Sequence, residues 1–256
     1  MTYTNPIPEK APLGVGAIFS ESFSIGFGNL LRILVIAGAS SFATIAVEGA
    51  LYNAPGGTTP RVAEPVAGIA LTFFALAFSA ISTALLVQLA YDTKRGQPVS
   101  IRRCIRQTFP VLHSVVVFQT LVFIMAIPAV VLLIVGSFWV IAVFYVLIPV
   151  LVVERAGFLS FSRSAALTKE YRWPIIGLIL ILFFISNVAE ALSTALLLPI
   201  AQSAETVAGF LGWGTLFYLP IDLAYSLTGI AIALTYARLR EIKEGIAVDD
   251  IARVFD

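Results

Sequence analysis

Residues 149–174 read PVLVVERAGFLSFSRSAALTKEYRWP, and this stretch decides the fold class. Its first residues end a long apolar run, which stops at Glu154 and Arg155. A short amphipathic segment follows, and Trp173 opens the next apolar run. A lipid bilayer explains this order, because a span leaves the hydrocarbon, a basic helix lies among the headgroups, and tryptophan marks the interface at re-entry. The stretch therefore indicates a helical membrane protein.

The composition of the whole chain points the same way. Of its 256 residues, 59% are hydrophobic and only 12% are charged, and the mean hydropathy is +0.96. Soluble domains carry about 25% charged residues, so this chain has too little polar surface to coat a soluble fold. The basic residues are spread between apolar runs and are not gathered into one domain. Nucleic acid is therefore not an expected partner.

Six apolar runs predict six transmembrane helices, because each is long enough to cross about 30 Å of hydrocarbon. The predicted spans cover residues 30–51, 66–91, 111–135, 138–153, 173–198 and 207–236. Gly136 and Ser137 are predicted to form the turn between the third and fourth spans, and residues 199–206 a loop before the sixth. Pro149 and Pro220 are expected to kink their spans. The first residues do not resemble a cleavable signal, so the first span is expected to remain in the mature protein.

The order of segments predicts an all-α bundle with a threefold internal repeat. An amphipathic interfacial helix followed by two spans occurs three times within a single membrane domain, residues 1–256. The first unit comprises residues 13–52 and 66–91, the second 98–153 and the third 156–236, and residues 237–256 form a tail. The first and third units share the pattern F-S-x-S, at Phe19–Ser22 and Phe161–Ser164. Within the tail, residues 248–255 are predicted to form a short helix beneath the membrane.

The distribution of basic residues predicts the orientation. Lys and Arg cluster in three regions, Lys94–Arg106, Arg155–Arg172 and Arg238–Arg253. All three fall on one side of a six-span chain, and Arg61 alone lies on the other. The positive-inside rule then places both termini in the cytoplasm of a bacterial inner membrane.

Two carboxyl groups within the predicted spans are candidates for a functional site. Glu190 lies in the fifth span, with Asn187 one turn before it, and Asp222 lies in the sixth, next to Pro220. A carboxyl at membrane depth is expensive, so each is expected to face the bundle interior or a wet cavity. This pattern predicts a polar site between the fifth and sixth spans. The alternative is that both groups lie near the outer interface or only hold helices together.

Charged residues at the interfaces suggest two further clusters. Glu154 is expected to accept hydrogen bonds from Arg163 or Arg172, in an interfacial network that includes Arg155. Three arginines of the second amphipathic segment suit anionic lipid headgroups, at about 1 kcal/mol for each basic residue near the surface. They are Arg102, Arg103 and Arg106.

A search for catalytic patterns finds none. The chain has no G-x-S-x-G, no H-E-x-x-H and no Walker loop, and it holds one cysteine, Cys104, and one histidine, His113. No catalytic residue, metal or cofactor is therefore expected.

With these residues in view, the chain resembles the bacterial YciC-like family of six-span membrane proteins. The resemblance rests on residues 149–174 and on the closing YARLREIKEG at residues 236–245. That family is related to the membrane domain found beside glycerophosphodiester phosphodiesterases. The resemblance implies an inner-membrane protein with an accessory or lipid-associated role. The phosphodiesterase chemistry itself needs several histidines, and this chain has one.

The sequence therefore leads to two functional hypotheses. The first is a non-enzymatic inner-membrane protein that associates with lipids or a membrane protein complex through its cytoplasmic basic helices. The second is a small-solute or lipid transporter with its site between the fifth and sixth spans. Small residues in the first span, such as Gly38, Ala39 and Ala43, permit close packing within the chain or in a homo-oligomer.

Overall fold

The computed structural model describes residues 11–52, 63–97, 99–131 and 134–245. Every regular element in these ranges is a helix, and six helical stretches are long and apolar enough to cross a membrane. The all-helical fold class and the six spans predicted from the sequence are confirmed for this part of the chain. The protein is a multi-pass membrane protein by this architecture.

The first half of the chain forms five helices, and the first three spans use the last four of them. The five helices are α1 (Val15–Gly28), α2 (Leu30–Leu51), α3 (Glu64–Lys94), α4 (Ile101–Thr108) and α5 (Leu112–Val131). The first span is α2 and the second is α3. The third span consists of α4, a 3-10 turn (Phe109–Val111) and α5, which follow one another directly. Its helical stretch therefore begins at Ile101. Pro110 lies in this 3-10 turn, because it cannot donate the hydrogen bond that an uninterrupted α-helix would need there.

The last three spans come from the second half of the chain. Its elements are α6 (Ile134–Val143), α7 (Leu147–Pro149), a π-helix (Val150–Glu154), α8 (Leu159–Thr168), α9 (Arg172–Leu196), α10 (Leu198–Gln202) and α11 (Val207–Glu244). The fourth span runs from Gly136 to Glu154, the fifth is α9 and the sixth is α11.

Helix α11 is the centre of the bundle and packs against α2, α3 and α9. Two glycines allow its close approach. A Cβ atom at Gly214 would lie 2.4 Å from Cγ1 of Ile45 in α2, and one at Gly229 would lie 3.0 Å from Cδ1 of Leu86 in α3. Real Cβ atoms essentially never show the first distance, and the second is tighter than most real contacts, so the two glycines let α11 come close to both neighbours.

The fourth span is broken near Pro149, and α8 packs into the break. The α-helical pattern stops after Val143, because Pro149 cannot donate to the carbonyl of residue 145 and its ring clashes with it. The N–H of Leu147 donates to the carbonyl of Phe144 at 3.0 Å, so the Val143 carbonyl lacks its helical donor. The carbonyl oxygen of Val143 then lies 3.1 Å from Oγ of Ser164 and 3.0 Å from Oγ1 of Thr168, both buried on α8. The two hydroxyl groups replace the backbone donor that the break removes. The expected disruption at Pro149 is thus present, and residues 159–168 compensate for it.

Large apolar side chains cover much of the outer surface of the bundle. Leu31 is 78% exposed, Ile69 71% and Phe184 68%. Such surface is unfavourable in water and favourable against lipid hydrocarbon, so it is the surface expected of a bundle within a bilayer. Polar groups are concentrated inside the bundle and at the end where the basic turns lie.

The structure differs from the sequence-based boundaries in several places. The helical stretch of the third span already begins at Ile101, and α11 continues through Pro220 as one helix to Glu244. Gly136 and Ser137 lie within α6, because the helix already resumes at Ile134, so they do not form the predicted turn. Residues 198–202 form the short helix α10 where a loop was predicted, since Pro199 stands at a position that suits the first turn of a helix. The helix predicted for residues 248–255 lies outside the described residues, and the threefold repeat of amphipathic helices stays a prediction.

Candidate functional site

A cavity of about 540 Å³ lies between α2, α3 and α11. It is near the middle of all three spans, since Ser40 belongs to Leu30–Leu51, Ser79 to Glu64–Lys94 and Asp222 to Val207–Glu244. The polar side chains that line it are Ser40, Thr44, Thr72, Ser79, Ser82, Thr83, Tyr218, Asp222, Tyr225 and Ser226. A carboxyl group and a set of hydroxyls therefore surround a void at membrane depth.

Asp222 is held by the first span. Oγ of Ser41, a fully buried residue of α2, lies 2.6 Å from Oδ2 of Asp222 and donates to it. Oδ1 accepts no hydrogen bond from any residue that the structure describes. Ser226, one turn further along α11, donates to the backbone carbonyl of Asp222 at 2.8 Å. One oxygen of the carboxyl group is thus fixed in position and the other remains available at the cavity.

A second carboxyl group is linked to the wall of the cavity. The hydroxyl of Tyr218 donates to Oε2 of Glu48 at 3.1 Å, which joins α11 to the C-terminal half of α2. Glu48 was not among the sequence-predicted site residues. The sequence shows an acidic residue near the end of an apolar run at this position. Its partner Tyr218 lies 170 positions away in the chain, so the sequence alone did not indicate the pairing.

The sequence-predicted intramembrane residues do not form one group. Asp222 lines the cavity and Pro220 lies on the same helix, whereas Asn187 and Glu190 are exposed on α9 and are not part of the lining. Asn187 donates to the carbonyl of Phe183 in its own helix at 2.8 Å. The site was expected between the fifth and sixth spans, and the structure instead places the cavity between the first, second and sixth. Sequence spacing does not report which spans are neighbours, and α2 is the helix that presents Ser41.

The predicted interfacial network is also present in part. Arg163 binds Glu154 through two parallel hydrogen bonds, from Nε to Oε2 at 3.0 Å and from Nη2 to Oε1 at 3.1 Å. The same guanidinium binds Glu244 at the end of α11. Tyr236 donates to Oε1 of Glu154 at 2.6 Å, and Nε of Arg240 donates to Oε2 of Glu244 at 2.8 Å. We call these five residues the α8–α11 ion-pair network.

Arg172 and Arg155 have other roles. The guanidinium carbon of Arg172 lies 5.3 Å from the centroid of the Trp139 ring, which is a cation–π distance. Arg155 is exposed and adopts a left-handed backbone conformation, with φ 52°, directly after the π-helix. It therefore lies where the chain turns out of the fourth span.

The surroundings of Arg163 stabilise its charged form. Partial burial acts to lower the pKa of this guanidinium, but the hydrogen bonds and negative charges of Glu154 and Glu244 outweigh it, and the pKa lies above its ordinary value. Arg163 is therefore a permanent positive charge between two carboxylates.

The three arginines assigned to lipid headgroups lie together on α4. Arg102, Arg103 and Arg106 are all exposed, and Arg103 donates to Oε1 of Gln97 at 3.0 Å. Two apolar neighbours are exposed as well, Ile105 by 47% and Phe109 by 70%. Basic and apolar groups thus lie side by side at this end of the bundle.

The described residues contain no group of three His, Cys, Asp or Glu side chains that could hold a metal ion. Comparisons of the chain with models of protein families, with curated proteins and with solved structures found no match.

Proposed function

We propose that this membrane protein binds a small polar solute in the cavity between its first, second and sixth spans and conducts the solute across the bilayer. The observation that carries the proposal is Asp222, whose carboxyl group faces a void of about 540 Å³ at mid-span. An ionisable group at that depth is costly, and such groups commonly mark solute or ion pathways. The volume is typical of small-molecule sites, which run from about 300 to 1,000 Å³.

A proline within α11 supports this role. Pro220 lies inside the helix, two residues before Asp222. Because proline has no N–H, the carbonyl of Leu216 loses its helical donor, and the helix can bend at this point with little loss.

We further propose that the protein resides in a bacterial inner membrane, with both termini in the cytoplasm, and that it performs no enzymatic chemistry. The basic turns on one side of the six spans support the orientation. The resemblance to YciC-like proteins supports the location in a bacterial inner membrane. The lack of catalytic patterns in the sequence supports a role without enzymatic chemistry.

Cysteine accessibility tests the proposal, because Cys104 is the only native thiol. Ser82→Cys is made in a Cys104→Ala background, and the protein is reconstituted into vesicles. The uncharged, water-soluble reagent 2-hydroxyethyl methanethiosulfonate is added outside in one experiment and enclosed inside in another. A pathway across the membrane requires that the thiol at position 82 react from both sides.

Ala80→Cys in the same background is the matched control. Ala80 lies on α3 only two positions away, is fully buried and does not line the cavity, so it is expected to stay unreactive. Reaction at position 82 from one side only would indicate a binding pocket without a pathway. Absence of reaction from either side would overturn the proposal.

A second candidate function is lipid association through the basic interfacial helices. The specific observation is the set of exposed arginines on α4, which lie beside exposed Ile105 and Phe109. This arrangement suits the boundary between anionic headgroups and acyl chains. The same face is also available to a membrane protein complex or to a second copy of the chain.

Replacing Arg102, Arg103 and Arg106 together by glutamine tests this second function. We expect less anionic phospholipid to co-purify with the variant, because three positive charges are lost from the headgroup region. The triple lysine variant is the control and is expected to retain the lipid, since it keeps the charges. Equal lipid content in the glutamine and lysine variants would contradict this role.

A further inference from the structure

We propose that the solute bound by the cavity is an organic cation with an amine or quaternary ammonium group. This inference rests on the proposed function, because it names the class of solute for the same site. It is drawn from the charge of the lining, the aromatic groups beside Asp222 and the size of the void.

The charge of the lining favours a cation. Asp222 contributes a carboxyl group with one oxygen free of hydrogen bonds from the described residues, and no lysine or arginine stands among the lining residues. Basic residues are absent throughout residues 33–60, 62–93 and 173–237 of the chain, which include the membrane-depth parts of α2, α3 and α11. A bound cation supplies the missing countercharge, whereas an anion would add a second negative charge at low dielectric.

Two tyrosines flank Asp222 on the same face of α11. Tyr218 lies four positions before Asp222 and Tyr225 three positions after it, and both line the cavity. Residues at these spacings are neighbours on a helix surface. Aromatic rings attract ammonium groups through their negative faces, by about 0.5–2 kcal/mol per contact. The carboxyl group therefore lies between two aromatic side chains that favour the same kind of ligand.

The size and the remaining walls favour an organic ion over a bare metal ion. Leu71, Leu76 and Ile221 contribute apolar surface to the lining. The cavity volume of about 540 Å³ is many times that of a water molecule, whose share of the liquid is about 30 Å³. A single inorganic ion would leave most of this space and all of the apolar wall without a partner. An alkylammonium ion fills more of the space, and its alkyl groups contact the apolar wall.

Charge-selective labelling of Ser82→Cys, again with Cys104→Ala, tests the inference. The two reagents are 2-(trimethylammonium)ethyl methanethiosulfonate, which is cationic, and 2-sulfonatoethyl methanethiosulfonate, which is anionic. Each rate is divided by the rate of the same reagent with a free thiol in solution. We expect the cation to react at least about tenfold faster than the anion, because a cleft of one charge sign concentrates counterions.

Three variants assign this preference to Asp222. Asp222→Asn is expected to lower the ratio several-fold, with the Glu48 carboxyl beside Tyr218 still present, and Asp222→Glu is expected to keep it. Glu241→Gln removes a carboxyl at the far end of α11, where Glu241 pairs with Arg238, and is expected to leave the ratio unchanged. Labelling of the Asp222→Asn protein by the uncharged hydroxyethyl reagent at the parental rate shows that the cavity is still formed.

The outcomes separate this inference from the proposed function. Equal rates for cation and anion, with rapid labelling by the uncharged reagent, would overturn the cation class and leave the solute cavity standing. Failure of all three reagents would overturn both. A ratio that is unchanged in Asp222→Asn, or that disappears in Glu241→Gln, would overturn the role given to Asp222.

Protection from labelling distinguishes the organic cation from an inorganic one. Tetraethylammonium chloride is expected to slow the reaction of the uncharged reagent at position 82, while potassium or sodium chloride at the same concentration is not. The protection is expected to be lost in Asp222→Asn. Equal protection by the inorganic salts would show that the cavity takes a simple metal ion and would overturn the organic class.

Discussion

Arg163 joins three parts of the chain through one guanidinium group. It binds Glu154 at the end of the fourth span and Glu244 at the end of the sixth, while its own backbone belongs to α8. Its side chain is 33% exposed, so the ion pairs are partly screened by solvent. Their bidentate geometry and the shared partners still make this a stronger arrangement than an isolated surface pair.

The first prediction concerns this residue. Arg163→Ala is expected to lower the free energy of unfolding by about 2 kcal/mol, because Glu154 and Glu244 lose their common partner and repel each other. Reversible denaturant unfolding in mixed micelles measures the change. Arg238→Ala is the control, since Arg238 makes only an exposed pair with Glu241, and a loss of about 0.5 kcal/mol or less is expected. Similar losses in the two variants would show that the network adds nothing beyond a surface pair.

The effect of Arg163 on the pH dependence of stability follows from the direction of its pKa. A pKa raised in the folded state contributes stability that is fully present below the ordinary guanidinium pKa and is lost only as the pH rises through the folded-state value. No part of that window falls near neutral pH. The pH dependence of the network near neutrality therefore comes from groups other than this guanidinium.

Several single residues were predictable from the sequence, but most of their partners were not. The pairing of Glu154 with Arg163 could be predicted because the two residues lie nine positions apart across one turn. Ser41 is 181 positions from Asp222, and Glu244 is 81 positions from Arg163. The cost of a carboxyl in hydrocarbon identified Asp222, whereas its partner depends on which helices pack together.

At the scale of elements, the contact between α2 and α11 depends on Gly214. Gly214→Ala is expected to destabilise the protein by about 1–3 kcal/mol, because the added Cβ would lie 2.4 Å from Cγ1 of Ile45. Denaturant unfolding of the purified variant gives the value. In an Ile45→Ala background the same substitution is expected to lose most of its cost.

Gly212 provides the matched control on the same helix. A Cβ at this position would have no neighbour within 4 Å. Gly212→Ala is therefore expected to stabilise α11 by about 0.5–1 kcal/mol through helix propensity alone. If both alanine variants changed stability in the same direction and by the same amount, the close approach at Gly214 would not be important for packing.

The compensation of the broken fourth span by α8 is also testable. Ser164→Ala and Thr168→Val are each expected to cost about 1 kcal/mol or less, since the other hydroxyl can still donate to the Val143 carbonyl. The double variant is expected to lose more than the sum of the two, because the buried carbonyl is then left without a donor. Ser162→Ala, at an exposed position of α8, is the neutral control. Strict additivity in this cycle would contradict the shared role.

The elements themselves were largely predictable, and their ends were less so. Uninterrupted apolar runs predicted the six spans because length and hydropathy decide whether a helix crosses a bilayer. The prediction of a turn at Gly136 and Ser137 was wrong, since glycine and serine are tolerated within helices when packing favours them. The role of Ser164 and Thr168 was not predicted, because it depends on a carbonyl freed in another segment.

At the scale of the whole molecule, the two ends of the described chain lie at the same end of the bundle. The hydroxyl of Tyr171 donates to the carbonyl of Ala11 at 2.9 Å, and Nζ of Lys243 donates to the carbonyl of Ala166 at 2.7 Å. Residues 166 and 171 flank the turn between α8 and α9. An even number of membrane crossings is consistent with this arrangement.

The topology gives the fourth prediction. Reporter domains fused to the first and last residues are expected to report the cytoplasm, and a reporter inserted after Tyr52, at the end of α2, the opposite side. The physical reason is the placement of the arginine-rich turns, which resist translocation. Compartment-specific enzyme fusions measure each position separately. Reports of opposite compartments from the two termini would contradict a six-span arrangement.

The length of α11 has a mechanical consequence. Its 38 residues make a rod of about 57 Å, and Asp222 and Glu244 lie about 33 Å apart along it. The helix continues through Pro220 without a break, and the stretch from Asp222 to Glu244 contains no further proline. A tilt of α11 that widens the cavity beside Asp222 must also displace Glu244 and strain the α8–α11 ion-pair network. A small movement of the helix end at the membrane surface is therefore coupled to a movement at the cavity.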